Sequence, residues 1–340
     1  MRMRVKPYNK ASILIIALWS VCLLTTLAVI LGFEVRQKMI LIKRLDERDK
    51  LRFICDASVK ISIAELLKEE EKDYSSLGDR SSNNIAAFKD VTVGDGFFSV
   101  SYDLISDDKA GAIETRYGLA DEQSKININK SEPQVIAGLF KAIGLDEDAS
   151  ANLAFSIKDW RDPDSDLSAP TGSAEGLYYR SLNYEYEAKD ADFQVADELL
   201  LVKDMTENTF EKIKDYVTIY GSGKVNVNTA GRFVLKALGL SEELAEDIVI
   251  YRNGKDNTAG TQDDGFFSSP QDMATKISEA FNLTDSQKQE LDSVVQKELV
   301  CAKSSFFMIK STARLNHGKN TKDLTCVISR SGRIFYWSES

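Results

Sequence analysis

The chain has one histidine, four cysteines and five prolines among its 340 residues, and these shortages exclude several classes of protein. Four cysteines are too few for a disulfide framework that could replace a hydrophobic core. The single histidine, His317, lies in the turn-like stretch Leu-Asn-His-Gly-Lys-Asn. No zinc-ligand spacing, phosphate-binding loop or Gly-x-Ser-x-Gly motif occurs. We therefore expect that the protein is not an enzyme.

Positive charge is also scarce, because 43 lysines and arginines face 53 aspartates and glutamates, which gives a net charge of −10. A surface of this sign cannot release counterions from a polyanion, which is the usual driving force of nucleic-acid binding. We therefore expect no nucleic-acid partner. The composition, 43% hydrophobic and 28% charged, is typical of a globular protein, and the length allows two domains besides an anchor.

No charged residue occurs between Ala11 and Phe33, a run of 23 residues. A helix rises about 1.5 Å per residue, so this run can span the roughly 30 Å hydrocarbon core of a bilayer. Four basic residues and no acid precede it, which predicts a cytoplasmic N-terminus and export of the rest of the chain. The alternative is a cleaved signal peptide, although such peptides have an apolar core of only about 7–15 residues and a small-residue cleavage site.

Beyond Glu34 the apolar residues recur every three or four positions, and neither proline nor glycine intervenes before Lys72. This spacing predicts one continuous helix over residues 12–72. Its first half, 12–33, would cross the membrane. Its second half, 34–72, would pack one apolar stripe against a globular head.

Alternating residues predict strands on both sides of a long helical block. The early strands are 97–105 and 125–129, and the late ones are 306–313, 324–329 and 333–337. Helices are predicted between them at 132–142, 146–160, 195–202, 206–216, 231–238, 241–252, 270–281 and 284–300. The most economical topology places all the strands in one antiparallel sheet. The predicted class is therefore α+β, with a head formed by residues 73–129 and 303–340 and a helical inserted domain at 130–302. Cys301 and Cys326 flank the late strands, where either a disulfide or two free thiols would fit an exported chain.

The inserted domain contains an internal repeat. Lys-Ile-Asn-Ile-Asn-Lys-Ser at 125–131 recurs 99 residues later as Lys-Val-Asn-Val-Asn-Thr-Ala at 224–230. Each copy precedes a predicted helix, a Gly-Leu pair and an acidic helix start. Asn129 and Asn228 occupy positions suited to an N-cap or an Asx turn at the start of the helix that follows. A duplication explains these matches, and two unrelated turn-helix units with a common cap are the alternative.

The second copy is similar to helix-hairpin-helix DNA-binding modules, but its chemistry differs. Its hairpin reads Leu-Gly-Leu-Ser-Glu-Glu, which lacks the second glycine and adds two carboxylates. Residues 130–302 contain 32 acidic and 17 basic residues. The hairpins therefore predict scaffold rather than DNA binding.

Two acidic loops are candidate ion sites, because calcium takes about six to eight oxygen ligands from flexible acidic loops. The first, residues 255–265, has glycines that let the backbone bend, and its candidate ligands are Asp256, Asn257, Asp263 and Asp264. The second follows a predicted helix, and its candidate ligands are Asp159, Asp162, Asp164, Asp166 and Glu175. One or two calcium ions are predicted. The alternative is solvated acidic turns.

The basic leader, the apolar run at its end, the long half-buried helix and the antiparallel strands together resemble type IV pilins and the pseudopilins of type II secretion. The resemblance implies that a prepilin peptidase cuts between Ala11 and Ser12 and methylates the new N-terminus. Residues 1–11 would then be a cytoplasmic leader. Ala11 stands where glycine is usual, and Ile16 stands at the fifth mature position, where glutamate is usual. The second departure and the helical insertion are similar to one subclass, the minor pseudopilins of the general secretion protein K family.

That resemblance implies a function, partners and a location. The function is to cap the tip of the periplasmic pseudopilus and to help initiate its assembly for protein export across the outer membrane. The partners are the minor pseudopilins I and J, other pseudopilins, the inner-membrane assembly platform and the prepilin peptidase. Docking through the long helix would use its apolar stripe: Val35, Met39, Ile42, Ile54 and Ile61. The chain would be a single-pass protein of a Gram-negative inner membrane with its bulk in the periplasm. The family also binds calcium, in agreement with the acidic loops. The alternative function is a membrane-anchored helix-hairpin-helix protein that binds DNA for uptake.

Overall fold

The computed structural model describes residues 10–105, 113–169, 172–317 and 320–340, with side chains from Ile13 onward. The predicted leader, residues 1–11, lies almost wholly outside the described residues, as do the side chains of Ala11 and Ser12 at the predicted cut. The chain forms two compact units, residues 1–53 and 54–340.

The regular elements are numbered in chain order. The helices are α1 (Lys10–Leu67), α2 (Ile85–Phe88), α3 (Pro133–Ala142), α4 (Glu147–Arg161), α5 (Gly176–Arg180), α6 (Glu207–Ile213), α7 (Arg232–Ala237), α8 (Glu242–Arg252), α9 (Met273–Ala280) and α10 (Asp285–Gln296). Short 3₁₀ helices occupy Glu122–Ser124, Ala196–Leu201 and Pro270–Asp272. The strands are β1 (Val91–Val93), β2 (Gly96–Val100), β3 (Tyr102–Ile105), β4 (Ile113–Arg116), β5 (Ala120–Asp121), β6 (Ile126–Asn127), β7 (Val217–Thr218), β8 (Val225–Asn226), β9 (Val300–Cys301), β10 (Phe306–Leu315), β11 (Thr321–Ser329) and β12 (Ile334–Glu339).

The first unit contains most of α1. The part of α1 that starts at Ile13 is long and apolar enough to cross a membrane. Its large apolar side chains up to Phe33 are exposed. A helix that is apolar on every side is stable in lipid, because all its backbone hydrogen bonds are made internally. The helix predicted over residues 12–72 therefore forms, and it is observed from Lys10 to Leu67.

The second unit contains the end of α1 and a six-stranded antiparallel sheet in the order β1-β2-β10-β11-β12, with β5 also paired to β10. Strand β10 pairs with β2, where Ala313 is opposite Phe98. Strands from before and after the helical block are thus neighbours in one sheet, as the sequence predicts, but not every predicted strand joins that sheet. The predicted strand 97–105 divides into β2 and β3, and β3 pairs with β4 outside the sheet. The predicted strand 125–129 is β6 of the insertion, which pairs in parallel with β7, so the expectation that one antiparallel sheet contains all the strands is wrong. The α+β class with a long N-terminal helix, an antiparallel sheet and a helical insertion is confirmed.

The insertion consists of two copies of one supersecondary unit, which we call the first copy (residues 126–218) and the second copy (residues 225–301). In the first copy, β6 pairs in parallel with β7, and in the second, β8 pairs in parallel with β9. Each copy therefore starts and ends at one two-stranded ladder, with helices between the strands. The copies pack where Gly138 of α3 faces Ala237 of α7, so closely that a β-carbon at 138 would lie 2.5 Å from the Ala237 carbonyl oxygen.

Equivalent side-chain hydrogen bonds occur within each of the two copies, which confirms the duplication. The Asn129 side chain donates to the Phe193 carbonyl at 3.0 Å and accepts from the Phe193 N–H at 2.8 Å. Asn228 makes the same pair with Phe267, at 2.9 and 2.8 Å. The guanidinium groups of Arg161 and Arg252 likewise donate to two carbonyls near the start of their own copy.

The predicted capping role of the two asparagines is wrong. The helices that follow have Glu132 and Gly231 at their N-caps. Asn129 and Asn228 instead fix loops that are distant in sequence. The side-chain oxygen and nitrogen of each asparagine both form hydrogen bonds with the backbone of one phenylalanine.

The four cysteines are free thiols. The disulfide considered between Cys301 and Cys326 is therefore not formed in this structure. Burial raises the pKa of Cys301 to about 12 and that of Cys326 to about 11, so neither thiol is reactive at neutral pH.

Candidate metal centre

Three acidic side chains of the first copy converge at the end of α4. Asp159 lies in the last turn of this helix, Asp162 follows the helix, and Glu175 precedes α5. One oxygen of each carboxylate lies within 4.8 Å of the others. We call this group the carboxylate triad. It is the one cluster of its kind in the part of the chain that the structure describes.

Two members of the triad are buried, Asp162 is half-buried, and some of the carboxylate oxygens are unsatisfied. Asp159 is 0% and Glu175 is 6% exposed. Asp159 Oδ1 accepts a hydrogen bond from the Ser168 N–H at 3.0 Å. Three oxygens have no partner among the described residues: Asp159 Oδ2, Asp162 Oδ1 and Glu175 Oε1. Buried carboxylate oxygens without donors are costly, and a bound cation is the usual way in which proteins satisfy several of them at once.

The crowding of negative charge also shows in the pKa values. Burial, followed by the charges of Asp159 and Asp162, raises the pKa of Glu175 to about 7. Burial and then the charges of Asp164 and Asp159 raise the pKa of Asp162. Hard carboxylate oxygens without thiolate or imidazole favour calcium or a similar hard cation. The donor set therefore fits the predicted calcium ion.

We expect the metal-free chain to be more stable at pH 5 than at pH 8. The pKa of Glu175 in the folded chain, about 7, lies above the ordinary value of a glutamate, which means that the folded state binds the proton more tightly. This stabilisation is fully present below the unfolded pKa and is lost as the pH rises through about 7. Thermal unfolding in a chelator across this range would measure it. Glu175→Gln should flatten the pH dependence, and an unchanged slope in that variant would contradict the assignment.

Asp164 and Asp166 lie outside the triad. Both are exposed, and Asp164 Oδ1 accepts the Asp166 N–H at 2.9 Å, which forms a local turn. The structure thus brings together three of the five ligands proposed for this loop.

The other acidic loop, residues 255–265, satisfies its own carboxylates. Asp263 Oδ2 accepts the Lys255 N–H at 2.7 Å, and Asp264 Oδ2 accepts the Gly260 N–H at 2.6 Å. Asp256 Oδ1 accepts the Thr258 N–H at 2.9 Å. Asp256, Asp263 and Asp264 therefore accept hydrogen bonds from amides of their own loop. Neither these three aspartates nor the fourth candidate, Asn257, belongs to the triad.

A guanidinium from the head reaches loop 255–265. Arg116 of β4 has a side chain that is only 1% exposed. It donates to the Ala259 carbonyl at 2.6 Å and to the Leu77 carbonyl at 3.2 Å, and it pairs with Glu114 at 3.3 Å. Gly260 lies against it with φ +86°, where a β-carbon would approach Arg116 Nη1 to 3.1 Å. The guanidinium of Arg116, a positive charge from the head, thus anchors this loop through its hydrogen bond to Ala259. Sequence reasoning missed Arg116, because 143 residues separate it from Ala259 and no motif links them.

Replacing Arg116 with glutamine should loosen loop 255–265. Hydrogen bonds to charged groups contribute roughly 1.5–3 kcal/mol, so amide exchange in this loop should accelerate about tenfold or more. Hydrogen-exchange mass spectrometry on peptides covering the loop would measure the effect. Arg180→Gln, on the exposed surface of the first copy, is the matched control. Equal exchange in wild type and Arg116→Gln would contradict this role.

The two copies explain why only one loop builds a triad. Alignment on Arg161 and Arg252 puts Ile250 at the position of Asp159 and Asn253 at the position of Asp162. The second copy therefore lacks the two helix-end carboxylates that the first copy uses.

The predicted interface residues fall into two groups. Val35, Met39 and Ile42 are 56%, 66% and 65% exposed and can meet another chain. Ile54 is 3% exposed, and its Cδ1 lies where a β-carbon on Gly96 would be only 2.7 Å away. Ile61 is half-buried. Ile54 therefore belongs to the core of the head, because α1 lies on the sheet at that point.

The long N-terminal helix, the antiparallel sheet and the two-copy helical insertion define a pilin-like α+β fold with an inserted domain. Residues 115–222 match the family model described as type II secretion system (T2SS), protein K. A chain of the crystal structure of the GspK-GspI-GspJ complex from the enterotoxigenic Escherichia coli type 2 secretion system has the same fold, with a TM-score of 0.65. The match covers 88% of this chain and 98% of that chain, at 14% sequence identity. A comparison with curated protein sequences finds no match. The match over residues 115–222 confirms the resemblance to the protein K family in that region, and the structural match confirms the fold of most of the chain.

Proposed function

We propose that the protein is a minor pseudopilin of a type II secretion system, which caps the periplasmic pseudopilus and helps to initiate its assembly. The observation that carries this proposal is the combination of an exposed apolar N-terminal helix with a match to protein K over residues 115–222, which include the first copy of the insertion. The matched family is a secretion component and not an enzyme family.

Two features support a position at the tip. Ile16 provides no carboxylate at the position where the pilin resemblance places glutamate, so the subunit buries no unpaired charge in lipid when no neighbour lies above it. The insertion also places residues 126–301 between the early and the late strands of the head. This added bulk suits a subunit at the end of a filament.

The proposed location is the inner membrane, with a cytoplasmic N-terminus and a periplasmic head. The basic residues before the apolar run support this orientation. Prepilin peptidase would cut between Ala11 and Ser12. The intact mass and N-terminal sequence of protein purified from membranes test this step. A start at methylated Ser12 is expected, whereas a start at Met1 would contradict processing.

The proposed partners are the minor pseudopilins I and J, followed by other pseudopilins and the assembly platform. The matched structure is a complex of GspK with GspI and GspJ. The exposed stripe Val35, Met39 and Ile42 is the part of the predicted interface that is available to them.

Substituting Val35→Asp and Ile42→Asp together should lower co-purification of I and J at least about tenfold, because apolar contacts at an interface each contribute on the order of 1 kcal/mol or more. Co-purification from detergent-solubilised membranes measures the effect. Gln37→Asp puts the same charge on the opposite face of α1 and should have little effect. Both variants must reach the membrane in wild-type amounts. Full recovery of the complex from the double variant would rule out the stripe as the interface.

We also propose that one calcium ion binds at the carboxylate triad. Trp160 follows Asp159 directly, and its ring lies 5.1 Å from that of Tyr179 in the adjacent core. Terbium at the triad should therefore show luminescence excited through tryptophan, and calcium should quench it by competition. Asp159→Asn should abolish the signal, and Asp164→Asn should keep it. An equal signal from wild type and Asp159→Asn would place the ion elsewhere.

A further inference from the structure

Strand β3 leaves the sheet of the head and has one edge without a partner strand. The preceding strand, β2, pairs with β10, and just beyond it the Ser101 N–H still donates to the Lys310 carbonyl at 3.0 Å. Farther along β10 the neighbouring place is taken by β5. Strand β3 pairs only with β4. In the part of the chain that the structure describes, the edge of β3 on the side of β10 is therefore open.

The alternation of an antiparallel ladder shows which backbone groups of β3 lie on this open edge, because successive residues point to opposite edges. The Ser101 N–H points to β10, whereas the Val100 carbonyl points the other way and accepts the Gly118 N–H at 3.1 Å. Asp103 and Ile105 therefore point their N–H and carbonyl groups to the side of β10. Among the described residues, neither makes a backbone hydrogen bond on that side.

The open edge lines a cavity of about 800 Å³ between the head and the insertion, within the usual range of roughly 300–1,000 Å³ for binding pockets. One face of the sheet forms its floor, where two residues of β10 lie directly opposite two of β11: Lys310 and Thr312 opposite Thr325 and Asp323. Both copies of the insertion contribute to its walls, through Tyr216 and Gly231.

The free edge defines the chemical class of the ligand. Unpaired N–H and carbonyl groups at alternate residues of a strand fit the backbone of another extended chain, which adds to the edge as a further strand. Ile105 lies directly opposite Ile113 in the β3–β4 ladder, and both line the cavity. Because Ile113 is 67% exposed, this pair offers an apolar contact to a side chain of the added strand.

The charges that line the cavity favour a basic segment. Its exposed charged side chains are four acids and one base: Asp103, Glu114, Asp215, Asp323 and Lys310. Glu114 already pairs with Arg116. The other three acids make no ion pair with any residue that the structure describes, so lysine or arginine side chains of a ligand would complement them.

We propose that this cavity binds an extended segment of another protein, which pairs with the open edge of β3 and carries basic and apolar side chains. Backbone hydrogen bonds to Asp103 and Ile105 hold the segment in register. The Ile105–Ile113 pair and the unpaired acids select its side chains. The head and the insertion thus form one binding site together.

Replacing Ile105 with proline removes an N–H that points into the cavity and removes no hydrogen bond of the β3–β4 ladder, a position at which proline is tolerated. Thr115→Pro is the matched control. Thr115 points its N–H away from β3, as does the next residue but one, Tyr117, whose carbonyl accepts the Asn84 N–H. Thermal unfolding of both variants should match wild type.

Photo-crosslinking on the full-length chain in its native host identifies the segment. Benzoylphenylalanine is placed at Ile113, with Ile85 of α2, which is 62% exposed and does not line the cavity, as the control position. Light should produce an adduct with another protein from position 113 but not from 85. Mass spectrometry of the adduct then gives the cross-linked segment, which is synthesised as a peptide.

Fluorescence anisotropy measures the binding of this peptide. It should bind wild type and Thr115→Pro equally and Ile105→Pro at least about tenfold more weakly, which corresponds to the loss of one backbone hydrogen bond left unpaired in the cavity. Methylation of the backbone nitrogens at alternate residues of the peptide should abolish binding in one phase and preserve it in the other. This second measurement uses the wild-type chain, so it does not depend on the folding of a proline variant. The affinity should fall with rising salt.

Four results would overturn the proposal. The first is the absence of an adduct at position 113, and the second is an adduct there with lipid or with a second copy of this chain. The third is a captured segment that is acidic. The fourth is a peptide whose affinity changes neither with Ile105→Pro nor with the phase of backbone methylation, because such a peptide would not be paired to β3.

Discussion

Chelation of calcium is expected to lower the unfolding temperature of the purified chain by roughly 5–10 °C. A ligand at a hundred times its dissociation constant stabilises the folded state by about 2.7 kcal/mol, and each kcal/mol shifts the midpoint of a domain of this size by about 2–4 °C. The effect should be large because three buried carboxylate oxygens lack other partners. Differential scanning calorimetry in calcium and in chelator measures it.

Three substitutions separate the triad from general calcium effects. Asp159→Asn should remove the calcium-dependent shift, because Asp159 is fully buried at the centre of the triad. Asp164→Asn should keep the shift, because that side chain lies outside the triad and is exposed. Asp263→Asn should also keep it, because the Asp263 carboxylate already accepts hydrogen bonds from its own loop. A wild-type midpoint that does not respond to calcium, or a response lost only in Asp263→Asn, would show that the triad is not the site.

Periodic patterns predicted most of the fold, since they reflect local physics. The unbroken spacing of apolar residues predicted α1, and the two Lys-x-Asn-x-Asn segments predicted the duplication. The chain also returns to its sheet after the insertion, where β10 lies beside β2. Helix α5 was not predicted, because a helix of five residues is too short to show a helical spacing of apolar residues in the sequence.

The candidate site could be predicted only as a set of residues. Both acidic loops have the composition of a calcium loop, and composition does not show which oxygens meet their own amides. That difference depends on two residues. Arg116 of the head donates to the Ala259 carbonyl in loop 255–265, and Glu175, just before α5, lies beside Asp159 and Asp162 at the end of α4. The choice between the loops is therefore a tertiary property. The position of Ile54 is another, because the stripe of α1 shows which residues are apolar but not where the head begins to cover them.

Replacing Ile54 with aspartate is expected to unfold the head and not merely to weaken an interface. Ile54 is 3% exposed and contacts the sheet at Gly96, which leaves no space for water around a carboxylate. Burying an unpaired charge in a packed core costs on the order of 4 kcal/mol or more, which is a large part of the roughly 5–15 kcal/mol that stabilises a typical domain. Thermal unfolding and resistance to proteolysis would measure the loss.

The control for this change is the same substitution twelve residues earlier on the same helix, at Ile42. Ile42→Asp introduces an identical charge at a side chain that is 65% exposed, so the unfolding temperature should be close to that of wild type. The two variants differ in burial and not in chemistry, so they separate stability from assembly. If Ile54→Asp left the unfolding temperature unchanged, α1 would not lie on the sheet at Gly96, and the whole stripe from Val35 to Ile61 would again be available to a partner. If Ile42→Asp unfolded the chain, the exposed stripe would be part of the core, and loss of the complex in stripe variants could not be assigned to an interface.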